Sequence, residues 1–393
     1  MLNASTALLN FRQQFPALQN KAYFNYGGQG VLPQRSLAAV QQSFQQGQEL
    51  GPFSGKAGTW VNQEADLTRQ AIAAELGASP RTIALTENVT VGCNIALWGI
   101  DWRVGDRLLM TDCEHPGIVA TVQELQRRFA IEVDICPLQS TLNAGDPIEV
   151  LVRHLHTDTR LVVLSHILWN TGQVLPLKEI VAACHSYNRA NPVRVLVDAA
   201  QSIGVLPLNL TELNVDFYAF TGHKWWCGPE GVGGLYVRPE AQDLLPTFIG
   251  WRGITMGETG APTGWKPDSR RYEVGTSAYP LYAGLREAIV LHQSQGTAQE
   301  RYLRLLGLSR SLWQQLSELP GVKCLRSTPP QAGLVSFQLP GQSHGQLVQF
   351  LESRSILVRT IQNPDCVRAC VHYFTLESEI AQLVEAVQQF DRA

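Results

Sequence analysis

The sequence predicts an α/β protein with a mainly parallel sheet and a second, smaller domain, and three observations favour this fold class. The chain has 393 residues, more than one ordinary domain holds. Its composition, with 45% hydrophobic and 17% charged residues, is typical of a globular protein with a large core. Two apolar runs, at 195–198 and 216–221, are too short for typical helices and end in polar residues. Such runs are typical of buried strands in a parallel sheet.

Charge and cysteine usage exclude several classes of partner and location. The formal net charge is −3, so we expect neither nucleic acid nor an anionic membrane as a partner. No apolar run approaches the roughly 20 residues of a membrane span. The first residues lack a basic segment followed by a long apolar run, so no signal peptide is expected. Eight cysteines without the spacing of a secreted scaffold indicate a cytoplasmic protein with reduced thiols.

The first part of the chain predicts helices on either side of one extended segment. A short helix is expected from Ala4 to Phe15, and residues 36–76 alternate apolar and polar at helical spacing. Between them, the stretch 23–30 predicts a strand that runs into a glycine-rich turn. Gly27 and Gly28 would let the backbone approach a ligand closely, although a plain turn explains them equally well.

The next strand and the helix that follows it form a candidate phosphate-binding site. A strand-like run from Ile83 leads through Asn88, Val89 and Thr90 into a helix predicted at 94–98. The start of a helix presents free N–H groups and the positive end of the helix dipole, which suit a phosphate. The alternative is an ordinary helix that Asn88 or Thr90 caps.

The middle of the chain continues to alternate strands and helices. Strands are expected at 104–112, 131–136 and 161–166, and helices at 118–130 and 177–189. His115 follows the first of these strands and Asn170 follows the third, positions that surface residues also occupy. His154 and His156 have no matching Cys or His pair nearby, so we expect a polar helix face there and no metal site.

Asp198 and Lys224 carry the strongest chemical signal. Asp198 ends one short apolar run, and Thr221, Gly222, His223 and Lys224 end the other. In an open α/β sheet, ligands bind beyond the carboxyl ends of the strands, so one crevice would receive both the carboxylate and the amine. Pyridoxal phosphate needs this pair: a lysine for covalent attachment and an acid that keeps the pyridine nitrogen protonated. A lone lysine after a strand would usually be a solvated surface residue.

The same stretch resembles a known family. The motif from Asp198 to Gln201, followed by Thr221-Gly-His-Lys224, is similar to the D-x-A-Q and [ST]-G-H-K signature of class V aminotransferase-like enzymes, which include the cysteine desulfurases. The resemblance extends from about residue 20 to about residue 390. It implies a fold type I pyridoxal-phosphate enzyme, in which a large domain with a mainly parallel seven-stranded sheet flanked by helices joins a smaller α+β domain. We place the large domain at 21–265 and the small domain at 1–20 and 266–393.

The resemblance also implies roles around the cofactor. His115 would stack on the cofactor ring, and Asn170 would lie near its 3′-oxygen. Position 89 holds Val89 where the family has a threonine, so one side-chain contact to the phosphate is missing. Thr276, in a motif similar to R-[FY]-E-x-G-T, would reach the phosphate of the partner subunit, which implies a homodimer with shared active sites. The expected cofactor-binding set is Lys224, Asp198, Gln201, His115, Thr221, His223, Asn88, Val89, Thr90 and Thr276.

Later segments supply the expected substrate contacts. Residues 232–237 predict an edge or antiparallel strand, and Trp251 stands in a Gly- and Thr-rich loop typical of an interface or site. Arg368, supported by Arg359, would bind the α-carboxylate of an amino acid, unless both are surface arginines. With Gly28, Asn170 and Trp251, they complete the expected substrate-binding set.

The segment between the two arginines differs between the classes of enzyme in this family. Desulfurases carry a long loop with a nucleophilic cysteine there, whereas this chain has seven residues between Thr360 and Cys366 inclusive, with the thiol beside Arg368. A desulfurase needs that thiolate to accept sulfur. We therefore predict a C–S β-lyase that acts on cystine or cysteine, similar to the family's lyases that supply sulfur for iron–sulfur clusters, with an iron–sulfur acceptor protein as a partner. The alternatives are a desulfurase that uses Cys366, an epimerase of the isopenicillin type, and a cofactor-binding regulator without catalysis.

Overall fold

The computed structural model describes residues 6–188 and 191–391. The expected helix from Ala4 and the end of the helix expected at 177–189 therefore lie partly outside the described residues. The helices are α1 (Thr6–Arg12), α2 (Gln34–Glu49), α3 (Gly55–Leu76), α4 (Val89–Gly99), α5 (Pro116–Phe129), α6 (Pro147–Arg153), α7 (Leu177–Tyr187), α8 (Leu210–Leu213), α9 (Pro280–Gln293), α10 (Ala298–Ser317), α11 (His344–Glu352) and α12 (Glu377–Asp391). The strands are β1 (Ala22–Tyr23), β2 (Ile83–Thr86), β3 (Arg107–Thr111), β4 (Glu132–Cys136), β5 (Thr159–Ser165), β6 (Arg194–Asp198), β7 (Phe217–Thr221), β8 (Gly233–Val237), β9 (Ile254–Met256), β10 (Pro262–Trp265), β11 (Lys323–Cys324), β12 (Leu334–Gln338), β13 (Ile356–Leu357), β14 (Arg359–Gln362) and β15 (Asp365–Cys370).

A seven-stranded, mainly parallel sheet forms the centre of the protein. Its strand order is β2-β8-β7-β6-β5-β3-β4. Strands β3 to β7 pair in parallel, while β8 runs antiparallel between β2 and β7. The predicted fold class is confirmed, and β8 is the antiparallel strand expected at 232–237, in the interior of the sheet.

Helices cover both faces of this sheet because successive strand side chains point to opposite sides. Val195 and Val197 of β6 pack in a cluster with residues of α3, α7 and α9. Leu196, between them, packs on the other face with residues of α4 and α5. A strand that is buried on both faces is apolar at every position, which is the pattern that the sequence shows at 195–197.

A second sheet lies in the C-terminal part of the chain. It is four-stranded and antiparallel, in the order β11-β12-β15-β14. Apolar residues of α10, α11 and α12 pack against it in a separate core cluster. This arrangement fits a smaller α+β unit.

Two elements pack across the predicted domain boundaries. Strand β1 pairs in parallel with β13, and Asn25 forms a bridge with Cys370 of β15. Helix α9 contributes Leu285 and Ile289 to the core cluster of the large sheet. The division at residues 21 and 266 therefore stays a prediction.

Candidate active site

A cavity of ≈ 970 Å³ lies beyond the carboxyl ends of β5, β6 and β7. This is the edge at which parallel α/β sheets bind ligands. Most of the residues predicted for the site line this cavity. Its wall combines residues at strand ends of the large sheet with two arginines of the second sheet. Its walls include Gly27, Gly28, Asn88, Val89, Thr90, His115, Ser165, Trp169, Asp198, Gln201, His223, Lys224, Phe248, Arg359 and Arg368.

Asp198 and Lys224 meet in this cavity because their strands are neighbours. Strand β6 pairs with β7 so that Asp198 lies opposite Ala219. The Asp198 carboxylate is 6% exposed and accepts a hydrogen bond from the Ala200 N–H at 2.9 Å. Burial, together with the charges of Arg368 and Arg359, lowers the pKa of Lys224 to about 8, against the opposing effect of Asp198. The amine is therefore far easier to deprotonate than an ordinary lysine.

The residues beside this pair are fixed by internal hydrogen bonds. Thr221 Oγ1 lies 2.7 Å from Nδ1 of His223. Gln201 donates to the Gly27 carbonyl at 2.8 Å and accepts from the Trp225 indole at 2.9 Å. His223 and Gln201 line the cavity, whereas Thr221 supports His223 from behind the wall.

The expected phosphate site is the first turn of α4. This helix begins at Val89, five residues before the helix expected at 94–98, because the Asn88 side chain accepts from the Val91 N–H at 3.1 Å and caps it. Asn88, Val89 and Thr90 all line the cavity. Free N–H groups at a helix start suit an anion, so these residues fit a phosphate although Val89 has no hydroxyl.

His115 presents a neutral imidazole to the cavity. It caps α5, where its Nδ1 accepts from the Gly117 N–H at 3.2 Å. Its ring lies edge-on to Trp169, with 5.7 Å between the ring centroids. Burial lowers the pKa of His115, so the ring is neutral at physiological pH.

Arg368 is a buried cation with unused donors. It is 1% exposed, and Nη1 donates to the Trp169 carbonyl at 2.6 Å. Among the described residues, its Nε and Nη2 find no hydrogen-bond partner. Leaving such donors unpaired is costly, and a carboxylate would satisfy two of them at once. A Cβ at Gly27 would come within 3.0 Å of this guanidinium, so only glycine leaves the required room.

Besides Thr221, three predicted residues lie away from the cavity wall. The Asn170 amide donates to the Asn363 carbonyl at 3.0 Å, and its neighbour Trp169 lines the cavity instead. Trp251 is 60% exposed, and Thr276 is also exposed. Thr276 lines a smaller adjoining pocket that shares Thr247 and Phe248 with the cavity.

Ser165 lines the cavity and Glu114 is hydrogen-bonded to it, but neither residue was predicted from the sequence. Glu114 accepts from Thr111 Oγ1 at 2.5 Å and from the Ser165 N–H at 3.0 Å, and it bonds the Ser165 hydroxyl at 2.9 Å. Burial raises the pKa of Glu114 to about 8, and nearby Asp198 acts in the same direction. The sequence feature that could have indicated both residues is their position at or just after the end of a predicted strand.

Cys366 does not face the cavity. It lies in β15, is fully buried, and burial raises its pKa to about 12. Strands β14 and β15 form a hairpin in which Gln362 pairs with Asp365, so two residues make the turn. None of the eight cysteines, all of which the structure describes, lines the cavity.

The donor set as a whole fits pyridoxal 5′-phosphate. Lys224 supplies an amine of lowered pKa and Asp198 a buried carboxylate on the adjacent strand. The capped start of α4 supplies an anion site, and His115 supplies a flat neutral ring. The unpaired donors of Arg368 leave a place for the carboxylate of an amino acid.

Comparisons with known proteins identify the family of this chain. A family model described as aminotransferase class-V matches residues 22–383. Among curated relatives, isopenicillin N epimerase of Streptomyces clavuligerus is 29% identical over 81% of this chain and 82% of that protein. A cysteine desulfurase of Escherichia coli O127:H6 is 28% identical over 80% of this chain and 79% of that protein.

Two solved structures are more similar in sequence. A mutant of C-DES with glycine covalently linked to its PLP cofactor is 53% identical, with a TM-score of 0.94 over 96% of this chain and 98% of that one. The complex of the cystine C–S lyase C-DES with its product cysteine persulfide is also 53% identical, with a TM-score of 0.94 over 95% of this chain and 99% of that one.

Proposed function

The chain belongs to the aminotransferase class-V family, and from this premise we propose that it is a pyridoxal-phosphate-dependent C–S β-lyase. Its substrate is L-cystine, or L-cysteine. Cystine and water would give pyruvate, ammonia and cysteine persulfide; cysteine would give sulfide in place of the persulfide. The observation that carries this proposal is a cavity built for an amino acid and this cofactor, with no cysteine on its wall.

Lys224 and Asp198 would hold the cofactor and move the first proton. Bound pyridoxal phosphate supplies an electron sink that stabilises negative charge at the Cα of an amino acid. The buried carboxylate of Asp198 would stabilise the protonated, positively charged form of the pyridine nitrogen. The Lys224 amine, whose pKa is lowered to about 8, is a base of suitable strength to take the Cα proton near neutral pH. His115 would contact the ring, and the start of α4 would bind the phosphate.

Arg368 would fix the substrate. Its unpaired Nε and Nη2 donors suit the α-carboxylate in a bidentate contact. Arg359 lies opposite on the neighbouring strand and also lines the cavity, so it supports the same anion. Gly27 leaves room for this guanidinium, and Gly28 also lines the cavity.

The sulfur would leave with the departing group and would not pass to the enzyme. A desulfurase needs a reactive thiolate within reach of the substrate. Cys366 is fully buried and has a raised pKa, so it does not meet this requirement. Cystine suits the lyase reaction especially well, because the departing persulfide is a weakly basic anion that needs little help from an acid.

We also propose a homodimer with shared active sites. Thr276 and Trp251 are exposed on the side of the cavity, and Phe248 lines the cavity although it is 65% exposed. A second copy of the chain would cover these side chains and bring Thr276 to the neighbouring phosphate site. An iron–sulfur acceptor protein would take up the persulfide sulfur.

The thiols point to a reducing compartment, and we propose the cytoplasm. All eight cysteines are free, and seven of them are buried. Within the described ranges, no helix combines the length and apolar character needed to cross a bilayer.

Product identity tests the proposal. The purified holoenzyme is incubated separately with L-cystine and L-cysteine, and the products are identified by mass spectrometry. We expect pyruvate and ammonia with both, and cysteine persulfide from cystine. Alanine in place of pyruvate would identify a desulfurase, and recovery of the D-amino acid without pyruvate would identify an epimerase.

A further inference from the structure

Behind the cavity, three buried side chains have the composition of a metal site. The ligand atoms of Cys227, His292 and His372 lie within 4.8 Å of one another. The two imidazole rings are stacked, with 5.4 Å between their centroids and 24° between their planes. Cys, His and His could in principle hold zinc, so the hydrogen bonds of each ring decide what the group does.

Both imidazoles already use both nitrogens. His372 Nδ1 accepts from the Tyr373 N–H at 3.0 Å, so its proton is on Nε2, which donates to the Trp225 carbonyl at 2.9 Å. His292 Nε2 lies 2.9 Å from the Trp226 carbonyl, which can only accept. Its Nδ1 therefore accepts from the Tyr373 hydroxyl at 2.8 Å.

These bonds exclude a metal and define a pair of donors. A metal would need a free lone pair on each ring and a thiolate, yet burial raises the pKa of the Cys227 thiol. Burial also lowers the pKa of His292 and of His372, which favours neutral rings. Two neutral imidazoles thus each present one N–H to a backbone carbonyl.

The two carbonyls belong to the turn that follows Lys224. The Cys227 N–H donates to the Lys224 carbonyl at 3.0 Å, which closes a four-residue turn. Within the turn, the Trp225 carbonyl receives only a long contact, of 4.0 Å, from the Cys227 thiol. The carbonyls of Trp225 and Trp226 are also shut off from water, since each residue is 1% exposed. Buried carbonyls need a donor from elsewhere in the fold, and the histidines provide it.

The whole backbone around Lys224 is held in this way. Gly30 N–H donates to the His223 carbonyl at 2.7 Å, and Cys227 N–H to the Lys224 carbonyl. His372 and His292 complete the series at the next two positions. The four consecutive backbone carbonyls of residues 223 to 226 therefore each accept a hydrogen bond, and each bond comes from a different residue.

We propose that His292 and His372 are positioning residues for the active-site lysine. Neither histidine lines the cavity. Their Nε2–H groups lock the carbonyls of the turn and so fix the direction in which the Lys224 side chain enters the cavity. This inference rests on the proposed function only in that Lys224 is the cofactor lysine.

Paired substitutions test the donor role. His372→Leu and His292→Leu remove the N–H, while His372→Gln and His292→Gln keep an N–H donor at a similar reach. We expect the Leu variants to lose at least tenfold in kcat with KM within threefold, and to change the circular dichroism of the cofactor absorption band. In the apoprotein, amide hydrogen exchange in the peptide that covers 224–228 should speed up at least tenfold. The Gln variants should restore most of both properties.

His344→Leu is the matched control, because His344 is buried and accepts from the Leu339 N–H, but lies in α11, which packs against the second sheet. It should lower the melting temperature without faster exchange at 224–228. The inference is overturned if the Leu variants fold with unchanged local exchange and kcat, or if Gln is as damaging as Leu. A wild-type protein that forms no lysine-bound cofactor would instead overturn the proposed function, whatever the exchange data show.

Discussion

Arg359 and Arg368 lie directly opposite each other on the antiparallel strands β14 and β15. Like charges at such positions repel, and Arg368 is also deprived of water. Burial accordingly lowers the pKa of Arg368. The two neighbouring positive charges are unfavourable in the free protein. They become favourable when an anion binds next to them in the cavity. That anion is the substrate carboxylate in the function proposed above.

Replacing Arg368 should separate binding from stability. In Arg368→Gln, we expect kcat/KM for cystine to fall about 100-fold, about 2.7 kcal/mol, because a bidentate charged contact is lost. The melting temperature should not fall, since the unpaired buried charge is removed as well. Steady-state kinetics and calorimetry measure the two effects. Arg354→Gln, at an exposed arginine over Phe350, is the control, and an unchanged kcat/KM in Arg368→Gln would contradict the assignment.

Removing the amine of Lys224 should abolish covalent attachment of the cofactor. In Lys224→Ala, we expect the absorption band of the lysine-bound cofactor to disappear and turnover to fall by at least ~1000-fold, because the base and the attachment point are both lost. Absorption spectra and pyruvate release measure this. The exposed Lys56→Ala should behave as wild type. A variant that keeps the band would show that another lysine holds the cofactor.

Attachment of the cofactor should depend on pH with a midpoint near 8. The uncharged amine is the form that reacts, and burial with Arg368 and Arg359 lowers the pKa of Lys224 to about 8. At pH 7 about one amine in ten is then uncharged, against roughly one in 2,500 for an ordinary lysine. The rate at which apoprotein takes up pyridoxal phosphate should therefore rise from pH 6 to 8 and level off above. A rate that still rises steeply at pH 10 would be inconsistent with a lowered pKa.

Cys366 should be dispensable for turnover. In Cys366→Ala, we expect kcat for pyruvate release from cystine to stay within about threefold of wild type, because the thiol is buried away from the cavity. A cost in stability of about 1 kcal/mol is expected from the small void. Product analysis by mass spectrometry and thermal unfolding check both. Loss of turnover with an intact fold would favour the desulfurase alternative.

Glu114 should make the protein less stable as pH rises. Burial raises its pKa to about 8, so the folded state keeps a proton that the unfolded state loses above about 4.5. For a raised pKa, the stabilising contribution is complete below pH 4.5 and is lost as pH rises to about 8. The slope is on the order of 1 kcal/mol per pH unit. Glu114→Gln mimics the protonated carboxyl, so its unfolding free energy relative to wild type should increase across this window. Parallel pH profiles would show that Glu114 is already ionised.

The sequence was sufficient to predict the parts of the site that strand ends determine. Asp198 and Lys224 could be placed together because apolar runs mark β6 and β7, and parallel strands bring their ends to one edge. The start of α4 was predicted five residues late, since Val89 to Cys93 are small or β-branched and hide the helical period. The hydrogen bond that the Asn88 side chain accepts from the Val91 N–H corresponds to the alternative in which Asn88 caps the helix.

Residues whose roles depend on packing between distant segments could not be placed in this way. The side chain of Asn170 turns towards Asn363, nearly two hundred positions later, and this leaves the cavity wall to Trp169. The link between the imidazoles of His292 and His372 and the turn after Lys224 is equally non-local. Residue spacing carries no information about such contacts.

The segment from β1 to Gly30 ties the two sheets to each other. At one end, β1 pairs with β13 and Asn25 bridges to Cys370. At the other end, Gly30 bonds to the carbonyl of His223, the residue before the lysine. The C-terminal sheet is therefore connected, through about five residues, to the backbone beside Lys224. Cleavage of the chain within this segment should therefore loosen the backbone beside Lys224 while leaving the Lys224 and Arg368 side chains unchanged.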